Sequence, residues 1–121
     1  MAIGFEDLRV WQEAHRLMLK VYKITTLFPK TEMYSLTDQV KRSALSAPAN
    51  IAEAHGRHHY LDKAKFLYNA RGSADETRSH LMAAKDLTYL DKNEFDIINQ
   101  EYIDLLKSLN SFIQAIKNRA N

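Results

Sequence analysis

A heptad ladder near the C-terminal end constrains this chain more than any other feature. Phe95, Ile98, Tyr102, Leu105, Leu109, Phe112 and Ile116 recur at alternating steps of three and four residues. That is the period of a helix packing along its whole length against other helices. A strand would alternate every second residue, and a solitary helix would have nowhere to bury such a stripe. Just upstream, Asp91-Lys92-Asn93-Glu94 reads as a capping box, which predicts a helix start near Lys92.

Three further helices follow from the same periodicity. The first is predicted from about Asp7 to Leu27, with Trp11, Ala14, Leu17, Met18, Val21, Tyr22 and Thr25 on its inner face and Pro29 closing it. The second runs from about Tyr34 to His55 and turns Leu36, Val40, Ser43, Ala44, Ala47, Ile51 and Ala54 inward. The third is predicted from an Asp62 N-cap to Leu90, with Phe66, Ala70, Ser73, Ala74, Thr77, Leu81, Ala84 and Thr88 inward. Small residues on both central helices allow their axes to approach. Gly72, costing roughly 1 kcal/mol against alanine inside a helix, is expected where another backbone comes near. Short connections make the neighbours antiparallel. The expected fold is an all-α, up-down-up-down four-helix bundle.

Length and composition support a single domain over residues 1–121. Three glycines and two prolines leave no linker, and no charge block interrupts the chain. Cysteine is absent, which excludes disulfides and thiolate metal sites and fits a reducing compartment. No apolar run approaches the eighteen or so residues of a membrane span, and Met1-Ala2-Ile3-Gly4-Phe5 lacks a signal-peptide pattern. A cytoplasmic protein without membrane partners is the expectation.

The second helix is unusual in two ways. Pro48 lies in its interior, where it removes a backbone donor and crowds the carbonyl four residues back, so packing must compensate or the helix must bend there. Leu45, Ala49 and Ala52 also occupy the side opposite the core stripe, where a surface helix normally carries charge. They are candidate subunit-interface residues. Ser46, Asn50, Glu53 and Arg57 flank the inward arc, and Glu76 or Arg71 from the third helix could complete their bonding. This group reads either as a structural polar cluster or as a partner site.

Net charge is only +2, but its distribution is uneven. His55 to Lys65 holds Arg57, Lys63 and Lys65 with His58 and His59 against the single acid Asp62, whereas Glu94 to Asp104 is acidic without a base. Arg57, His58, His59, Lys63 and Lys65 are candidate phosphate contacts at the turn between the second and third helices. Arg16, Lys20 and Lys23 on the first helix, with Lys41 and Arg42 on the second, could extend them. The competing reading is a solvated turn and helix face. Tyr60 and Tyr68 could stack on bases or pack into the bundle.

Catalytic patterns are lacking. Glu-x-x-His pairs of a di-metal bundle do not occur, and Glu76 and His80 stand four apart without a second copy. His55 and His59 straddle Gly56, where the helix is expected to end, so neither metal nor cofactor is expected. Arg9 and His15 lie about 240° apart around a helix, poorly placed for ribonuclease chemistry. There is no thiol nucleophile, serine elbow or glycine-rich phosphate loop.

The pattern Phe5-x-x-Leu8-x-Val10-Trp11-x-x-Ala14, then Phe28-Pro29, Leu36-x-x-Gln39, Ser46-x-Pro48-x-Asn50-Ile51-Ala52-Glu53, Arg57 and Ala70-Arg71-Gly72-Ser73-x-x-Glu76 resembles the proteins encoded in 23S rRNA intervening sequences. The likeness spans almost the whole chain. Its most specific parts are the Asn-Ile-Ala-Glu and Ala-x-Gly-Ser-x-x-Glu runs. The chain departs from the family where glycine is common, carrying Ala54 and, before Tyr89, Thr88. The resemblance implies an antiparallel bundle assembling into a ring, typically a pentamer, without established catalytic activity. The chain is also similar to the accessory variability determinant of diversity-generating retroelements, a basic pentameric bundle that associates with nucleic acid and a reverse transcriptase. The expected function is therefore a non-enzymatic homo-oligomer that associates with RNA through a basic surface. The rival is an oligomeric scaffold that binds only proteins.

Overall fold

The computed structural model describes residues 4–120. Their order is a 3-10 turn at Phe5–Asp7, α1 (Arg9–Thr25), a second 3-10 turn at Lys30–Glu32, α2 (Leu36–Gly56), α3 (Tyr60–Asp86) and α4 (Lys92–Ala120). Each helix runs antiparallel to the next, giving the up-down-up-down bundle. Contacts fix the register: Ser43 meets Thr77 and Ser46 meets Ser73 between α2 and α3, while Arg71 meets Asn110 and Arg78 meets Asn99 between α3 and α4.

Helix ends follow local chemistry more closely than hydrophobic pattern. The Asp7 carboxylate accepts from the Gly4 amide at 3.2 Å and so closes the 3-10 turn, and α1 starts at Arg9 rather than at Asp7. At its other end the hydroxyls of Thr25 and Thr26 donate to the carbonyls of Tyr22 and Lys23. These bonds satisfy acceptors exposed at a helix end. Helix α3 begins at Tyr60 after an extended His59, with Asp62 in the first turn, where its charge favours the helix dipole. Asp91 caps α4 by accepting from the amides of Asn93 and Glu94.

The termination of α3 departs most from expectation. The Tyr89 amide donates to the Ala84 carbonyl and the Thr88 amide to the Lys85 carbonyl, both at 2.9 Å, which is a Schellman closure. It requires a left-handed residue, and Thr88 supplies it at φ 68°. The helix therefore ends at Asp86 and not near Leu90. Thr88, expected inward, is exposed.

The core is built from Leu17 and Val21 of α1, Val40, Ala47 and Ile51 of α2, Leu67, Ala74 and Leu81 of α3, and Ile98, Tyr102 and Leu109 of α4, all at most 1 % exposed. The most extensive helix pair is α2 with α3, where Ala44, Ala47, Ala70 and Ala74 let the axes draw together. Pro48 is buried in an unbroken α2, so packing accommodates the missing donor without ending the helix. Four aromatic positions expected inward are only half-buried, Trp11 and Tyr22 of α1 among them, and in two of them a neighbour takes the core site. Phe66 and Phe112 are half-buried, and Leu67 and Ile113 take the core sites at 1 % and 3 % exposure. A helix of 3.6 residues per turn drifts about 20° per heptad against a strict seven-residue repeat, so the stripe moves on by one residue.

Gly72 also differs. It is exposed, and a Cβ added there would meet nothing within 4 Å, so no backbone among the described residues approaches it. Leu45 is 48 % exposed, Ala49 is exposed and Ala52 half-buried. Among the described residues no helix is long and apolar enough to cross a membrane.

Candidate nucleic-acid interface

The antiparallel arrangement gathers the start of α1, the end of α2, the start of α3 and the end of α4 at one end of the bundle. The cations proposed from sequence divide accordingly. Arg57, His58, His59, Lys63 and Lys65 lie at this end. Lys23, Lys41 and Arg42 lie toward the other, since the sixteen residues of α2 between Lys41 and Arg57 rise roughly 24 Å. They do not form one stripe.

Several of these cations are already engaged. Arg16 and Lys20 both bind Glu101 of α4, Arg16 at 2.7 Å, and Arg16 also bonds Glu13 at 2.9 Å. Burial opposes ionisation of Glu101 and is the largest influence on it. The hydrogen bonds and charges of Lys20 and Arg16 together outweigh it, leaving the carboxyl below its ordinary pKa. The neighbouring carboxylates Glu13 and Glu101 hold the Arg16 pKa above its ordinary value. Arg16 and Lys20 thus belong to an ion-paired seam, whereas Lys23 is exposed. Lys41 lies over the Tyr22 ring and Arg42 pairs with Asp38 at 2.9 Å. Lys63 donates to the Ala54 and His55 carbonyls at 3.3 and 3.1 Å, capping the C-terminus of α2. It anchors the turn and is not presented to solvent as a free cation.

The proposed polar cluster splits in two. Ser46, Asn50 and Ser73 do come together: the Asn50 amide donates to the Ser46 carbonyl and hydroxyl at 2.9 and 3.0 Å, and the Ser46 and Ser73 hydroxyls stand 2.9 Å apart. Glu53 and Arg57 form a separate exposed pair at 2.6 Å, with the guanidinium 4.5 Å over the Phe66 ring. Glu76 is exposed and faces His80 at 3.2 Å, and Arg71 donates to Asn110, so neither completes the cluster. Ser43, Ser73 and Thr77 continue the seam, with Thr77 bonded to Ser43 and to the Ser73 carbonyl. Their three- and four-residue spacing on facing helices was the available signal. Arg9 and His15 are not brought together: Arg9 lines a groove with Glu13 and Asp104, and His15 stacks on Trp11 at 4.6 Å.

Two grooves at the α2–α3 end have a distinctive lining. One, of about 220 Å³, includes His55, Tyr60, Lys63 and Arg119, and the other, of about 340 Å³, includes Leu61, Lys65, Tyr68, Asn69 and Lys117. Among the described residues no carboxylate lines either. Grooves elsewhere include Glu13 and Asp104, Glu94, or Asp38. Lys117 and Arg119 were absent from the sequence candidates because nothing local ties residue 117 to residue 68. The fold joins them, with the Lys117 ammonium donating to the Tyr68 hydroxyl at 3.1 Å.

Fold and surface define an all-α four-helix bundle that carries Lys65, Lys117 and Arg119 with the exposed rings of Tyr60 and Tyr68 at one end. The chain belongs to the 23S rRNA-intervening sequence protein family, whose model matches residues 6–111. Among solved structures it is similar to a protein of unknown function from the S23 ribosomal protein family of Bacteroides thetaiotaomicron. That likeness has 24 % identity and a TM-score of 0.77 over 86 % of this chain and 97 % of the other, and speaks to fold alone. No curated protein matches the chain significantly.

Proposed function

We propose that this protein is a non-enzymatic bundle that assembles with itself and associates with RNA through the end where α2 turns into α3 and α4 finishes. The observation carrying the reading is that Lys65, Lys117 and Arg119 line two grooves free of carboxylates among the described residues, at the end where His58 and His59 stand exposed in the α2–α3 turn. Cations without acidic partners can neutralise phosphates and release counterions, so the association is sequence-tolerant and weakened by salt. Leu45, Ala49 and Ala52 leave a weakly polar strip on α2 for a neighbouring copy, and a contact repeated around an axis closes a ring. A pentamer, as the family likeness implies, would present five basic ends and multiply a weak site.

The test is fluorescence anisotropy of labelled RNA across a salt series, beside a light-scattering mass. Charge reversal at Lys65 and Lys117 is expected to weaken binding and to lower the salt slope by about one for each phosphate no longer neutralised. Lys63 is avoided because it caps α2. Unchanged RNA affinity in the reversed variant, or none in the native protein at low salt, assigns the bundle to protein partners instead. A monomeric mass removes the ring.

A further inference from the structure

Tyr68 is held in a way that core packing does not require. It is 37 % exposed on the wall of the groove shared by Leu61, Lys65, Asn69 and Lys117. The Arg71 guanidinium lies 4.7 Å from its ring centroid and is itself anchored on Asn110 at 2.9 Å. Lys117 is different. Its ammonium stands 3.1 Å from the hydroxyl and 5.8 Å from the centroid, distances that differ by about the ring's own reach from centroid to oxygen. It therefore lies beyond the hydroxyl edge, close to the ring plane. One face is braced by a cation and the edge is pinned by a second. The opposite face has no ring or cation stacked on it among the described residues.

Resting on the RNA reading above, we propose that this groove takes an unpaired nucleotide, so that the basic end selects single-stranded over duplex RNA. A braced aromatic face is a stacking platform for any nucleobase, because every base offers a π-face. Asn69 supplies an amide on the same wall for a base edge, while Lys65 and Lys117 flank the ring with positive charge for the adjoining phosphates. A duplex encloses its base faces and could meet only the cations. Tyr60 and Leu61, 40 % and 70 % exposed at the start of α3, add apolar surface that unpaired bases could cover and a duplex backbone would not.

The experiment compares a labelled single-stranded RNA of about twelve nucleotides with a blunt duplex of the same sequence, using the full chain and the variants Tyr68→Ala, Tyr68→Phe and Lys117→Glu. The native protein is expected to prefer the single strand. Tyr68→Ala should weaken single-strand binding about tenfold or more with the salt slope kept, and change duplex binding little. Tyr68→Phe keeps the stacking face and should bind the single strand within about threefold of native. Lys117→Glu should weaken both RNAs and lower the slope. Thermal melting confirms that each variant is folded. Equal affinity for the two RNAs, or native-like single-strand binding by Tyr68→Ala, overturns the inference and leaves RNA association standing. Failure of the native protein to bind either RNA at low salt overturns both.

Discussion

The Thr77 hydroxyl stands 2.8 Å from the Ser43 hydroxyl, with both side chains shut away from solvent between α3 and α2. One turn along, Ser46 and Ser73 repeat the contact at 2.9 Å. The tightest helix pair in the bundle is thus joined by paired hydroxyls as well as by alanines. Each hydroxyl also has a carbonyl in reach, Val40 for Ser43 and Ser73 for Thr77, and the two hydroxyl protons serve two of the three contacts at a time. A buried hydroxyl without a partner carries a desolvation penalty, so the pair is expected to behave as a unit.

Thr77→Val keeps shape and removes the hydroxyl, and should destabilise the fold by about 1–2 kcal/mol. Ser43→Ala alone should cost less. The double variant should fall short of the sum by about 0.5–1.5 kcal/mol in a thermal or urea double-mutant cycle. Strict additivity would mean that the two hydroxyls do not communicate.

Tyr102 gives the opposite expectation. Its ring is fully buried, and its hydroxyl lies near the Thr77 hydroxyl without a well-formed hydrogen bond to it or to any other described residue. Burial drives the phenol far above its ordinary pKa, with the nearby Thr77 hydroxyl opposing only in part. Tyr102→Phe removes an unsatisfied polar group and keeps the ring, so stability should hold or rise by about 1 kcal/mol. A clear loss would mean that the hydroxyl is satisfied after all, by Thr77 or through a bridging water.

Thr88 occupies the left-handed position that closes α3, where a β-branched side chain is strained and glycine is not. Its side chain is exposed, so removing it sacrifices little packing. Thr88→Gly should stabilise by about 1 kcal/mol, seen as a melting temperature about 3–5 °C higher. An unchanged or lower melting temperature would show that the closure is not under strain.

Glu101 ties α4 to Arg16 and Lys20 of α1, and its folded pKa lies below the ordinary value. The folded state therefore binds its proton less readily than the unfolded chain does. The stabilisation is complete above the unfolded-state pKa of about 4.3 and disappears as pH falls through the lower folded-state value. Glu101→Gln should cost about 1 kcal/mol at pH 7, a modest figure because both cations are partly solvated. The gap between native and variant should close in acid. A gap independent of pH would assign the loss to packing.

Much of the bundle was legible in the chain because helical periodicity is a local property. The ladder from Phe95 to Ile116, the inner face of α1 and the alanine-rich stripe of α2 each name their buried face without knowledge of the partner. Local chemistry also decided the ends, though less visibly: Asp7 reads as a helix start until Gly4 is seen donating to it, and Thr88 does not announce a left-handed turn. Charge was another matter. Arg16 and Lys20 look free in sequence because Glu101 lies more than eighty residues away, and Lys117 looks unremarkable because Tyr68 is forty-nine residues upstream. Which cations are neutralised and which stand open depends on the register between antiparallel helices. Side-chain packing across their seams sets that register, and no window along the chain contains it.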